Sequence, residues 1–409
     1  MPIQSAPARR VLKILTYTSL FPNSVQPLLG SFVLERMRHL RQSVELSIVA
    51  PVPYFPRLDF NKRWYQFASI PAAENICDLP VSHPRFVLLP KISMQAHGIS
   101  MFLGSVSRVR ELVGTTGCDL IDAHYVYPDG LAAVMLGAKF KKPVVVSARG
   151  SDINRFRCFK TIRPLIQYVL CKADAIIAVS PGLRDGMIDL GCPPEKITVI
   201  PNGVDSVKFS QNPRMAMREQ LGLPLNRPIA LSVGRLDENK GIDFLVEAMA
   251  HLRSGERRWL LVIVGEGVRR KKLQIQIRDL KLDDYVRLVG TQPHSELPKW
   301  YSAADYFCLA SSREGWPNVV MEAMACGLPV IASDAWGASE ILTSDSLGMI
   351  VKRDPAAFAH ALNEATHREW DRDRIVEYAR SHTWEKVAQK VLHVYDEAVS
   401  RYHNRQDSH

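Results

Sequence analysis

Residues 305–341 read DYFCLASSREGWPNVVMEAMACGLPVIASDAWGASEI. Tyr306–Ala310 is an apolar run of strand length, and Ser311–Trp316 is a polar loop that contains Gly315. Pro317 stands where the first position of a helix tolerates a missing N–H. Val319, Val320, Ala323 and Met324 recur at helical spacing, and Gly327 ends the helix. Leu328–Ala332 is a second apolar, β-branched run. Strand, loop, helix and strand make the βαβ unit of a parallel sheet.

Ligands of such sheets bind beyond the carboxyl ends of the strands, beside helix N-termini. Two carboxylates fall there: Glu314 in the loop and Glu322 in the second turn of the helix. A loop carboxylate can accept bonds from sugar hydroxyls, and a helix carboxylate can hold a ribose diol. Gly315 lets a ligand approach the backbone. Either glutamate alone would be an ordinary exposed residue. The E-x7-E spacing followed by EAMACGLPVIAS, Gly337 and Glu340 resembles the retaining glycosyltransferases of family 4, the group 1 glycosyl transferases. The resemblance implies a GT-B fold: α/β, with two Rossmann-like domains facing each other across a deep interdomain cleft.

At 409 residues the chain exceeds one compact core, so two domains are expected. Hydrophobic content of 46% and charged content of 23% are those of a soluble globular protein. No apolar run approaches the roughly 20 residues that span a bilayer, and the first residues lack the pattern of a signal peptide. Seven dispersed cysteines without a C-x-x-C pair suggest reduced thiols in a cytosolic protein. The net charge of +10 is uneven: residues 1–205 carry 24 Lys+Arg against 15 Asp+Glu, residues 206–409 carry 28 against 27. A basic first half suits an anionic substrate, an anionic membrane or nucleic acid.

Val11–Tyr17 is the first strand expected, and Gly30 opens the helix after it, where a phosphate could approach backbone N–H groups. In family 4 a glycine-containing loop at this place reaches the donor diphosphate, which implies that role for Gly30. Residues 53–98 are rich in proline and aromatics, have poor periodicity, and read as irregular structure on the acceptor side. Asp119–His124 is a strand that ends in His124. The DLIDAH…PDG setting resembles that of family members with a histidine near the donor sugar, so His124 is a candidate for substrate positioning or acid–base help. Pro143–Ala148 reads as a buried parallel strand. Gly150 and Asp152 resemble the family's G-x-D turn near the acceptor. Arg155, Arg157, Lys160 and Arg163 among Phe156, Phe159, Ile162 and Leu165 suit a membrane-surface helix or a plain charged one. Asn202 lies in a segment like the family's NGVD, just before the linker.

The second half opens with IALSVG, a strand followed by Arg235 and Lys240. Two cations past a strand end and near a helix N-terminus suit a diphosphate leaving group, and SVGRL…KG resembles a family segment. His294–Tyr301 looks like the family's short helix before the E-x7-E unit. Asp371 and Asp373 form a D-x-D far from any strand end, and no metal role is expected of them. No Walker A, G-x-S-x-G or zinc-ligand spacing occurs.

The domains expected are 1–205, an N-terminal acceptor-binding domain; 206–383, a nucleotide-sugar-binding domain; and 384–409, a helix crossing back onto the first. The resemblance implies a metal-independent, retaining transfer of a hexose-type sugar from a nucleotide-sugar to an acceptor hydroxyl, in polysaccharide or glycolipid assembly. Lys240, Arg235 and the N–H groups of Asn318 and Val319 would stabilise the diphosphate. Glu314 would hold the sugar and Glu322 the ribose. No cofactor is expected. The partners expected are the donor, a saccharide or lipid-linked acceptor, and peripheral contact with an anionic membrane from the cytoplasmic side. The alternatives are another GT-B enzyme, such as a nucleotide-sugar epimerase or a phosphorylase, and a basic nucleic-acid-binding protein.

Overall fold

Strand-forming residues and helical stripes alternate along the chain, and the structure, a computed structural model, places them in two large, mainly parallel sheets and a small two-stranded one. It describes residues 10–54, 66–88, 94–255, 257–335 and 337–407. The chain divides into two units: Met1–Ile200 with Val387–His409, and Pro201–Lys386.

In the first unit the strands are β1 (Leu12–Tyr17), β2 (Val44–Val49), β3 (Val52–Tyr54), β4 (Ala73–Ile76), β5 (Leu79–Ser82), β6 (Arg85–Val87), β7 (Leu120–His124), β8 (Val144–Ala148), β9 (Ala175–Ala178) and β10 (Ile197–Val199). Its main sheet runs β10-β9-β8-β7-β1-β2-β5-β4. All neighbours are parallel except β4 and β5. β7, β8 and β9 are buried throughout, as continuous apolar runs must be when helices cover both faces. β1 lies between β2 and β7, so the connections diverge on either side of it. That divergence is the topological switch point of an open α/β sheet.

The second unit has β11 (Ile229–Val233), β12 (Leu260–Val264), β13 (Val286–Gly290), β14 (Tyr306–Leu309), β15 (Val330–Ser333) and β16 (Gly348–Val351), in the order β13-β12-β11-β14-β15-β16. This is the doubly wound 3-2-1-4-5-6 order, with its switch point between β11 and β14. The helix Ile242–Leu252 shows how the core forms. Ile242, Leu245, Val246, Met249 and Leu252 fall on one stripe and are buried, each such side chain contributing about 1.5–3 kcal/mol by leaving water.

Three readings of the sequence are corrected. Residues 53–98 are not wholly irregular: β4 and β5 form an antiparallel hairpin through Cys77 and Asp78, both at positive φ, and β6 pairs with β3. Strands of three and four residues are too short to show a period. Residues 55–65 and 89–93 of that stretch lie outside the described residues. The basic-aromatic stretch after β8 is not one helix. It is a short helix Ser151–Asn154, a 3-10 turn Phe156–Cys158, an extended Phe159, and a new helix Arg163–Lys172 with Pro164 in its first turn. A proline there starts a helix and cannot continue one. Finally, residues 201–205 lie with the second unit. Val204 N–H donates to His382 O at 2.9 Å, Val204 pairs with Thr383, and a Cβ on Gly203 would sit 2.6 Å from Trp384 N. The helix Trp384–Asp407 begins in the second unit and belongs to the first from Val387 onward. There Val391, Tyr395 and Ala398 are buried, and Arg405 pairs with Asp174.

Candidate functional site

At the second unit's switch point, the loop after β11 (234–241) is joined to the loop after β14 (310–317). Gly241 has φ +62°, and a Cβ there would stand 2.2 Å from Ala310 O, so only glycine lets the two backbones meet. Ser312 N–H donates to Asn239 O at 2.8 Å, and Asn239 Nδ2 donates to Arg313 O at 2.9 Å. Arg353 Nε donates to Ala310 O at 2.8 Å.

This junction brings Lys240 Nζ to 2.6 Å from Glu314 Oε1, with side chains only 21% and 13% exposed. Arg235, expected beside Lys240, is 84% exposed and faces Asp237 at 3.3 Å. The structure therefore joins Lys240 to Glu314 and leaves Arg235 in solvent. Beyond Gly315, the helix Asn318–Ala325 starts with no side-chain cap. Uncapped N–H groups at Asn318 and Val319 face the end of the helix where anions bind. Asn202 Nδ2 donates to Asn318 Oδ1 at 3.1 Å. The residue expected on the acceptor side therefore sits in the second unit, beside that helix terminus.

Glu322 carries partners that local sequence patterns did not assign. Tyr301 Oη donates to its Oε2 at 2.9 Å, and His294 Nε2 lies 3.2 Å from its Oε1. Burial, then the adjoining carboxylate, push the Tyr301 phenol well up. Lys208 Nζ lies 2.6 Å from His294 Nδ1, and Phe209 sets its ring edge-on to both His294 and Tyr301. The sequence separations of 21 and 28 residues from Glu322 follow no helical or strand period. The one signal was the short-helix segment His294–Tyr301 itself.

In the first unit His124 is fully buried at the end of β7. Its Nε2 lies 2.8 Å from Asp122 Oδ2, and its Nδ1 meets the guanidinium of Arg149. Burial pushes the imidazole down to about 4, against the pull of Asp122. The ring is therefore neutral, donates from Nε2 and accepts at Nδ1. Arg36 donates to Ser147 Oγ at 3.0 Å, and Tyr395 of the last helix faces Asp122. Asp129 accepts from Ser19 N–H and Ser19 Oγ; burial raises its carboxyl to about 7. Asp152, expected near the acceptor, is buried and accepts backbone N–H bonds from Val126 at 2.9 Å, Arg149 at 3.1 Å and Gly150 at 2.7 Å. It ties the ends of β7 and β8 together. Gly30 has φ +63°, and a Cβ there would stand 2.0 Å from Leu20 O. The glycine thus has a local steric reason. A cavity of about 330 Å³ opens at the carboxyl end of this sheet, lined by Ser19, Phe21, Phe86, His97, Met101 and Pro128 among others.

Among the described residues no helix is long and apolar enough to cross a membrane. Asp371 of the D-x-D caps the helix Arg372–Arg380, accepting from Arg374 N–H at 3.0 Å.

The glycosyl transferases group 1 model matches residues 213–382, and the glycosyltransferase family 4 model matches residues 31–208. A D-inositol 3-phosphate glycosyltransferase of Thermobispora bispora is 31% identical over 328 residues, 74% of this chain and 76% of that one. TuaC of Bacillus subtilis (strain 168), named as a teichuronic acid biosynthesis glycosyltransferase, is 28% identical over 367 residues, 88% of this chain and 90% of that one. Among solved structures, Anabaena Alr3699/HepE in complex with UDP aligns with a TM-score of 0.72 at 20% identity, covering 95% of this chain and 100% of that one. A sucrose-phosphate synthase of Thermosynechococcus elongatus aligns with a TM-score of 0.76 at 21% identity, covering 96% and 100%. The two sheets, their switch points and these matches agree: the chain belongs to the group 1, family 4 glycosyltransferases and is a transferase of the GT-B fold.

Proposed function

We propose that this glycosyltransferase moves a hexose-type sugar from a nucleotide-sugar to an acceptor hydroxyl, with retention and without a resident metal, in the assembly of a polysaccharide or glycolipid. The observation that carries the proposal is the Lys240–Glu314 pair at the switch point of the second unit, next to an uncapped helix N-terminus. The HepE structures with UDP and with UDP-glucose support a nucleotide-sugar donor, and the teichuronic acid relative supports a polysaccharide product.

In this reading Glu314 accepts bonds from the donor sugar's hydroxyls, and Lys240 faces the diphosphate as its charge grows. The N–H groups of Asn318 and Val319 take the phosphate oxygens, Gly315 lets them approach, and Glu322 receives the ribose diol. Arg235 is free to swing onto the diphosphate from solvent. His124, with both nitrogens engaged and the ring held neutral, serves to hold Arg149 and not to move a proton. Gly150 and the cavity beside β1 are assigned to the acceptor; its apolar lining suits an acceptor with a hydrocarbon part. The basic balance of residues 1–205 supports work at an anionic membrane face inside the cell.

Calorimetric titration with UDP, GDP and ADP, with and without EDTA, tests the donor site. Binding of one nucleotide in EDTA, lost in Lys240→Ala, supports the assignment; binding of none overturns it. Proton NMR of the first-formed product reads the anomeric outcome, and an inverted product refutes retention. Equal sedimentation with neutral and anionic liposomes refutes the membrane role.

A further inference from the structure

The donor-side carboxylate Glu322 does not stand alone. Lys208, His294, Glu322 and Tyr301 form a continuous hydrogen-bonded chain within the second unit. Its polarity is fixed by chemistry. A lysine ammonium can only donate, so at 2.6 Å His294 Nδ1 must accept. The remaining ring proton then lies on Nε2 and is directed at Glu322 Oε1, 3.2 Å away. Tyr301 can only donate to an ionised carboxylate, and does so to Oε2 at 2.9 Å. Phe209 is 2% exposed and meets the imidazole edge-on at 5.2 Å between centroids, which sets the ring plane. Each carboxylate oxygen thus has one protein donor and keeps lone-pair capacity. Both remaining acceptor positions are oriented by the two donors.

We propose that Lys208 and His294 are positioning residues: they fix the tautomer and the orientation that present the free lone pairs of Glu322 to the two adjacent hydroxyls of the donor's ribose. Selectivity for a ribonucleotide then depends on residues that never touch it. The proposal rests on the assignment of Glu322 to the ribose. It adds that Lys208, in the turn 206–208, acts on the sugar through His294. A carboxylate free to rotate would hold one hydroxyl at a time, whereas a fixed one holds both.

The test is calorimetry on the full chain with UDP, GDP and ADP and with the 2′,3′-dideoxy form of whichever binds. Glu322→Ala is expected to abolish the preference for the diol. His294→Ala is expected to weaken the ribonucleotide roughly tenfold, the worth of one charge-assisted hydrogen bond, and to leave the dideoxy form nearly unchanged. His294→Gln, which can still donate to Glu322 and holds a similar volume, is expected to recover most of that loss. Lys208→Ala combined with His294→Ala is expected to cost no more than His294→Ala alone, since one chain is broken either way. Equal weakening of both nucleotide forms by His294→Ala would reduce the residue to a packing role and overturn the proposal. So would additive losses in the double variant. Full diol preference in Glu322→Ala removes the ribose assignment itself. Loss in Glu322→Ala with none in His294→Ala removes only the relay. Circular dichroism of each variant confirms the fold, and the glutamine variant keeps the test decisive if the alanine variant unfolds.

Discussion

Replacing Lys240 by alanine removes the ammonium that stands 2.6 Å from Glu314. If a diphosphate oxygen takes a place about 4 Å from that ammonium, the attraction is about 4 kcal/mol at an effective dielectric of about 20. The lysine is one-fifth exposed and shares its charge with Glu314, so about half of that, about 2 kcal/mol, is a fair lower bound. Loss of a charged or oxyanion donor in other active sites costs about 2.7–4 kcal/mol. At 1.36 kcal/mol per tenfold, kcat/KM should fall by roughly 30-fold to roughly 1000-fold. The fall should be in kcat with donor saturating, because the charge on the leaving group grows toward the transition state. Unpaired Glu314 also destabilises the fold by about 1–3 kcal/mol, so thermal unfolding must accompany the rates. Lys240→Met, which keeps the side-chain stem, separates lost packing from lost charge. The assay is initial-rate release of nucleoside diphosphate with acceptor present. A folded Lys240→Ala protein turning over within about threefold of the wild type would refute the reasoning, since even the halved figure at an effective dielectric of about 20 implies roughly 30-fold.

Three further outcomes are expected. Gly241→Ala forces φ +62° on a residue whose Cβ would lie 2.2 Å from Ala310 O; it should cost about 2–4 kcal/mol and lower Tm by several degrees, and an unchanged Tm would contradict the close approach. Asp152→Ala strips three buried backbone N–H groups of their acceptor, so chemical denaturation should show a loss of about 3 kcal/mol or more, with Asp152→Asn between it and the wild type. Two buried groups of the first unit oppose each other in pH. His124, lowered from 6.5 to about 4, leaves the unfolded chain with more protons in that window, so its share of stability is present above 6.5 and is lost as pH falls toward 4. Asp129, raised from 3.8 to about 7, leaves the folded chain with more protons, so its share is present below 3.8 and is lost as pH rises toward 7. Urea unfolding between pH 4 and pH 7 should therefore show Asp129→Asn gaining on the wild type as pH rises and His124→Gln gaining as pH falls. Parallel curves would refute both shifts.

Short-range chemistry made much of this protein legible in its sequence. The continuous β-branched run of Pro143–Ala148 read as a buried parallel strand, and Val144–Ala148 is one. The spacing of Glu314 and Glu322 placed both at the carboxyl end of β14 and the helix after it, since strand, loop and helix follow from contiguous residues. Short or broken elements did not read so well. The β4–β5 hairpin gave no period, because four residues are less than the window in which a period shows; the stretch after β8 read as one helix, because its spacing does not show the breaks at Arg155 and Phe159.

What only the tertiary structure decided are the encounters between distant residues. Lys240 meets Glu314 across 74 positions because β11 and β14 are neighbours at the switch point. That adjacency is a property of strand order, not of either segment. His294 and Tyr301 likewise meet on Glu322, and Lys208 on His294, across separations of 21 to 86 positions. His124 was legible as a histidine at a strand end, but its burial against Asp122 and Arg149, which keeps it neutral, depends on what β8 and the last helix lay over it. Sequence determines which groups can bond and which segments must leave water. The packing of strands remote in the chain determines which bonds form.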